Sequence, residues 1–64
     1  MKPKKIRAYY MRESDTSIRV RYGNLYPWIP KKALIDWDDE EFHYVYDPLE
    51  LTIQPWFVRK VHWL

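Results

Sequence analysis

The chain contains a single glycine, Gly23, and it stands with Asn24 between two runs that alternate in opposite senses. Ser17-Ile18-Arg19-Val20-Arg21-Tyr22 places apolar residues at every second position, the period of a half-buried strand, and Leu25-Tyr26-Pro27-Trp28-Ile29 resumes after a gap of two. Two alternating runs around a two-residue Gly/Asn turn predict a β-hairpin. With Tyr22 opposite Leu25, Arg21 faces Tyr26 and Arg19 faces Trp28, which sets two guanidinium groups across the ladder from two aromatic rings on one face. Pro27 has no N–H to give, so this register loses one ladder bond opposite Val20. A register shifted by one residue is the alternative. It turns Tyr26 and Trp28 to the side of Ile18 and Val20 and removes the Arg–aromatic face.

Around the hairpin, Lys4 to Arg12 reads as a first strand, with Ile6, Ala8 and Tyr10 on one side and Lys5, Arg7, Tyr9 and Met11 on the other. Glu13-Ser14-Asp15-Thr16 is turn chemistry. Phe42-His43-Tyr44-Val45-Tyr46 has strand composition, Asp47-Pro48 turns it, and Leu49 to Ile53 alternates again. Pro55 suits the first turn of a helix, with Phe57, Val61 and Leu64 on one face; a strand with mixed faces is the other reading of that stretch. The expected fold is mainly β: one domain over residues 1–64, built on a small twisted antiparallel sheet or partly open barrel of three to five strands with a short C-terminal helix. The expected core is Ile6, Ala8, Tyr10, Ile18, Val20, Tyr22, Ile29, Leu34, Val45, Leu51, Ile53, Trp56, Phe57 and Val61.

Sixty-four residues bury only about 60% of the surface the unfolded chain exposes, so the 19% aromatic content matters for stability. Twelve aromatic side chains are hard to hide in one protomer, and a concentration-dependent homodimer is expected. The absence of cysteine removes disulfide frameworks and thiolate metal sites and points to a cytoplasmic setting. No apolar run approaches the length of a membrane span or a signal peptide, so no membrane partner is expected.

Charge is divided along the chain: nine Lys and Arg against Glu13 and Asp15 in residues 1–32, but only Arg59 and Lys60 against seven carboxylates in residues 33–64. A chain so divided presents an anion-attracting face if the fold keeps the two sets apart.

The stretch Ser17 to Ile35, with Trp28-Ile29-Pro30-Lys31, followed by Leu51-Thr52-Ile53 and Pro55-Trp56-Phe57, resembles a family of small, mostly uncharacterised phage, prophage and bacterial proteins. Those proteins pair a Trp-Ile-Pro-Lys stretch with a C-terminal strand running into a Pro-Trp helix. The resemblance covers about two thirds of the chain and implies a small β-rich fold rather than an activity. Lys32 stands where a Ser is usual, Gln54 separates the strand from Pro55, and Arg19 replaces the family's apolar residue.

Catalytic chemistry finds no support. His43 and His62 lack metal-ligand spacing, the hydroxyls have no neighbouring histidine, and one glycine makes no phosphate loop. Asp36, Asp38 and Glu40 alternate like a calcium loop but lack its glycine and its closing glutamate, so the acidic segment is expected to be an open connection. No cofactor and no enzyme activity are expected. Two binding functions remain. In the first, Arg19, Arg21, Lys31, Lys32, Arg7 and Lys5 contact phosphates of a single-stranded nucleic acid while Tyr26 and Trp28 stack on bases. In the alternative, Trp37 with Asp36, Asp38, Asp39, Glu40 and Glu41 docks on a basic protein surface, as an inhibitor or adaptor acting on a host or defence protein would.

Overall fold

The computed structural model describes residues 2–64. Five antiparallel strands form one sheet: β1 (Lys4–Glu13), β2 (Ser17–Arg21), β3 (Trp28–Pro30), β4 (Leu34–Ile35) and β5 (Pro48–Ile53), in the order β3-β2-β1-β5-β4. The helix α1 (Pro55–Lys60) follows. β3 and β4 are the two edges of the sheet, yet only a single 3₁₀ turn, Lys31–Ala33, separates them in sequence. Three residues span about 10 Å at most, so the sheet has to curl until its edges approach each other. At this seam, backbone bonds anchor each end of the link to the neighbouring strand, extending the β2–β3 and β4–β5 ladders: Lys31 N–H donates to Thr16 O (2.8 Å) and Gln54 N–H to Ala33 O (2.8 Å). The result is a half-barrel with a filled concave side and a solvent-facing convex side.

Alternation decides which residues go where. Ile6, Ala8, Tyr10, Ile18, Val20, Ile29, Leu51 and Ile53 point into the curl and are buried, while Lys5, Arg7, Tyr9, Arg21 and Trp28 point out. The open end of the curl is plugged by α1 and the tail. Pro55 starts the helix, Phe57 is buried, and Trp63 packs against both Phe57 and Tyr22. The helical reading of the C-terminus is therefore the right one, and the helix stops at Lys60, short of Leu64.

The hairpin adopts the two-residue-turn register: Tyr22 bridges Leu25, Ile18 pairs Ile29 and Arg19 pairs Trp28. Val20 N–H donates to Pro27 O (3.1 Å), and Pro27 cannot return the bond. Gly23 takes φ +62° at the first turn position and Asn24 keeps a negative φ, the pattern of a type II′ turn.

Two expectations are corrected. Phe42 to Tyr46 forms no strand. Tyr44 to Asp47 is a turn, closed by Asp47 N–H to Tyr44 O (3.0 Å) and by Tyr44 N–H to the Asp47 carboxylate (2.8 Å). Strand composition does not help here because the turn and the left-handed Tyr46 carry the chain away from β1, so this segment reaches it only through Tyr46 N–H to Tyr10 O and Tyr10 N–H to Asp47 O. Val45 and Trp56 leave the expected core and are exposed, whereas Ala33, unnoticed in the sequence, is fully buried under the seam. Among the described residues no helix is long and apolar enough to cross a membrane.

Gly23 has open space where a Cβ would go, so Gly23→Ala meets only the backbone penalty of a left-handed φ. That substitution should destabilise the protein by about 1–2 kcal/mol, and Gly23→Val by more, because a β-branched residue is a genuine outlier at positive φ. Thermal melts of the two variants check the ranking; an Ala variant as stable as the parent would contradict it.

Candidate nucleic-acid interface on the convex face

One extra residue shapes this face. β1 and β2 pair Tyr10 with Val20 but Arg12 with Arg19, so Met11 is a β-bulge. Strict alternation would send Arg12 inward with Tyr10. The bulge turns it outward, beside Arg19, and brings Glu13 to the inner rim opposite Ile18. Two cross-strand rows result on the convex side. Trp28, Arg19 and Arg12 make one row; the hairpin register lines up Tyr26, Arg21 and Tyr9 in the next. Arg7 opposite Glu50 and Lys5 opposite Thr52 continue the face along β1.

These side chains are accessible. Trp28 is 45% exposed, Tyr26 43% and Tyr9 48%. Arg19 donates from Nε to Tyr26 O (3.1 Å) and lies 5.7 Å from the Tyr26 ring centroid, which fixes its guanidinium above the aromatic face. Arg21 donates from Nε to Gly23 O (3.2 Å). Each of these bonds uses one of the five guanidinium donors, so both groups retain the fork that suits a phosphate. Arg7 meets Glu50 at 3.7 Å, and both side chains are largely exposed, a pair of small energetic weight.

The structure brings Arg19, Arg21, Tyr26, Trp28, Arg7 and Lys5 onto one face and places the two remaining candidates elsewhere. Lys31 lies at the seam with its side chain only 16% exposed, and its ammonium binds Glu13 (2.9 Å) and Asp39 (2.5 Å). Lys32 sits above the Trp56 ring at 5.8 Å. Arg12 and Tyr9 join the face without having been singled out in the sequence. Tyr9 was legible from alternation; Arg12 was not, because a bulge leaves no mark in the sequence pattern.

The acidic segment also differs from expectation. Asp38 accepts the Glu40 N–H on its side chain (3.0 Å) and the Glu41 N–H on its carbonyl (3.2 Å), so a turn replaces the open connection. Trp37 is not a docking tip. It folds back against the core and stacks on His43 at 5.2 Å, and His43 meets Tyr10 at 5.1 Å. Trp37 Nε1 and His43 Nε2 are both buried, so the indole N–H is turned away from solvent. Among the described residues no group of three or more His, Asp or Glu is placed to hold a metal ion.

The Lys31 cluster is electrostatically coupled. Its hydrogen bonds to Asp39 and Glu13 raise the Lys31 pKa, and the same ammonium holds both carboxyls below their ordinary range. Burial, then the hydrogen bond to Glu13 (2.8 Å), raises the Tyr10 hydroxyl.

No family model, curated protein or solved structure matches the chain.

Because the Glu13 and Asp39 pKa values are depressed in the fold, their contribution to stability is present above the unfolded carboxylate range and is lost as pH falls through the folded values. Lys31→Met should lower the melting temperature at neutral pH and shrink its drop between neutral pH and about pH 3. Parallel pH profiles for parent and variant would contradict the coupling.

Proposed function

We propose that the protein is a non-enzymatic module that binds single-stranded nucleic acid across the convex face. The observation that carries this reading is the interleaving of the two rows: Arg12 and Arg19 beside Trp28, and Arg21 between Tyr9 and Tyr26, with every ring at least 43% exposed. Basic forks alone would serve any polyanion. Exposed rings set between them add a second requirement, an unstacked base, which a strand supplies and a duplex withholds. Base–aromatic stacking contributes about 1–3 kcal/mol per base whatever the base, so the expected recognition is of strandedness more than of sequence.

The protein-docking alternative loses its anchor with Trp37 folded back on His43. Arg12, Arg19, Arg21 and the outer Arg7 and Lys5 supply the phosphate contacts, with Glu50 beside Arg7 at the margin of the face.

The two kinds of side chain should respond differently to substitution. Arg12→Ala and Arg21→Ala should each weaken binding of an unstructured oligonucleotide and reduce the dependence of log affinity on log salt by about 0.7 per lost contact. Trp28→Ala should weaken binding with little change in that slope, since stacking releases few counterions. The Trp28 substitution should also cost far less stability than the roughly 3–5 kcal/mol of a core aromatic. Fluorescence anisotropy titrations over a range of salt, with a melt of each variant, read all three; a parent protein that binds no single strand at about 100 µM in low salt would overturn the proposal.

A further inference from the structure

The loop between β4 and β5 reaches the convex face with its tip. Tyr46 lines a shallow, open cleft with Tyr9, Arg21, Gly23 and Asn24. Its neighbour Val45 lines the adjoining groove with Met11, Arg12, Arg19 and Tyr26. The tip therefore divides the face into two compartments, each with at least one arginine and one aromatic ring.

The first compartment has the features of a seat rather than of a bare surface. Tyr9 and Tyr46 are 48% and 54% exposed, and among the described residues neither stacks on another ring. Gly23 contributes backbone without a side chain at the cleft, and Asn24 contributes an amide that both donates and accepts. Tyr46 holds φ +71°, a left-handed conformation that a bulky aromatic residue rarely adopts. It is kept there by its N–H to Tyr10 O and by the turn that Asp47 closes on Tyr44. A residue fixed against its own conformational preference, with its ring left in solvent, is poorly explained by packing, and such residues concentrate at ligand sites.

We infer that Tyr9 and Tyr46 are the two walls of a seat for one unstacked base of a single-stranded nucleic acid, with Arg21 on the adjoining phosphate and Asn24 at the base edge. This inference rests on the proposed convex-face function and assigns one nucleotide position within it. The occupant follows from the lining: two ring faces for a flat, apolar-faced group, one fork for an anion linked to it, and one amide for a polar edge. Tyr46 is the informative residue, because glycine is comfortable at its φ.

Tyr46→Gly removes the ring and relieves the backbone at once, so the variant should melt at or above the parent temperature. Binding is measured with two probes, a short oligothymidylate and an abasic strand of the same length that keeps the phosphates and lacks the bases. The Gly variant should bind the oligothymidylate about five- to a hundred-fold more weakly than the parent and the abasic strand with unchanged affinity. Tyr46→Phe should retain parental affinity for both, and Tyr9→Thr, which replaces one strand-favouring residue by another, should reproduce the Gly phenotype. If Tyr46→Gly binds oligothymidylate as well as the parent, or weakens both probes equally, the seat is wrong while the basic face stands. If the parent binds neither probe, the convex-face function and the seat both fall.

Discussion

The three-residue link between the two edge strands is the constraint from which the other features follow. A flat sheet in the order β3-β2-β1-β5-β4 would hold its edges roughly 19 Å apart, four strand spacings of about 4.8 Å. Lys31–Ala33 is too short to bridge that distance, so closure of the seam and curl of the sheet are one event. Curling gives a small chain an inside. Ile18, Val20, Ile29 and Ile53 become fully buried in a sheet whose strands run from two to ten residues. Lys31 sits at this point for a physical reason. Its ammonium ties the link to Glu13 at the end of β1 and to Asp39 beyond β4, joining the first strand to both sides of the closure.

The bulge at Met11 settles the second half of the design. A single inserted residue reverses the facing of everything after it, which at once sends Arg12 to the convex side and turns Glu13 inward to receive Lys31. The basic outer face and the ion pair that clasps the seam are therefore coupled through one backbone irregularity. Removing the bulge while keeping the sequence would bring a guanidinium toward the concave core and a carboxylate into the row of arginines, two unfavourable placements that pin the register.

What the sequence made legible is what short-range geometry decides. Gly23-Asn24 and the alternation on either side of it predict the hairpin in two registers, and the one the fold adopts puts Arg19, Arg21, Tyr26 and Trp28 on one face while Pro27 gives up the bond that its chemistry requires. Phe42 to Tyr46 was misread because strand composition describes what a segment tolerates, and the turn from Tyr44 to Asp47 with its left-handed Tyr46 takes the chain off the β1 edge. Lys31 and Trp37 were misread for a related reason. Their partners, Glu13 with Asp39 and His43 with Tyr10, are brought to them by the curl, and no local pattern encodes contacts made across it. The left-handed Tyr46 has no sequence signal at all, since nothing about a tyrosine predicts a conformation it disfavours.

The division of charge along the chain acquires a spatial meaning from the same topology. β1 and β2 carry Lys5, Arg7, Arg12, Arg19 and Arg21 to the convex side, while a groove beside β5 gathers Asp36, Asp38, Glu41, Asp47 and Glu50. The two sets meet at Arg7 and Glu50, which lie opposite each other on β1 and β5. A polyanion approaching this molecule is drawn by one side and repelled by the other, with the boundary running along that strand pair. The repulsive side is as informative as the attractive one: under the proposed function it would confine a single strand to β1, β2 and β3, where the exposed rings of Tyr9, Tyr26 and Trp28 stand.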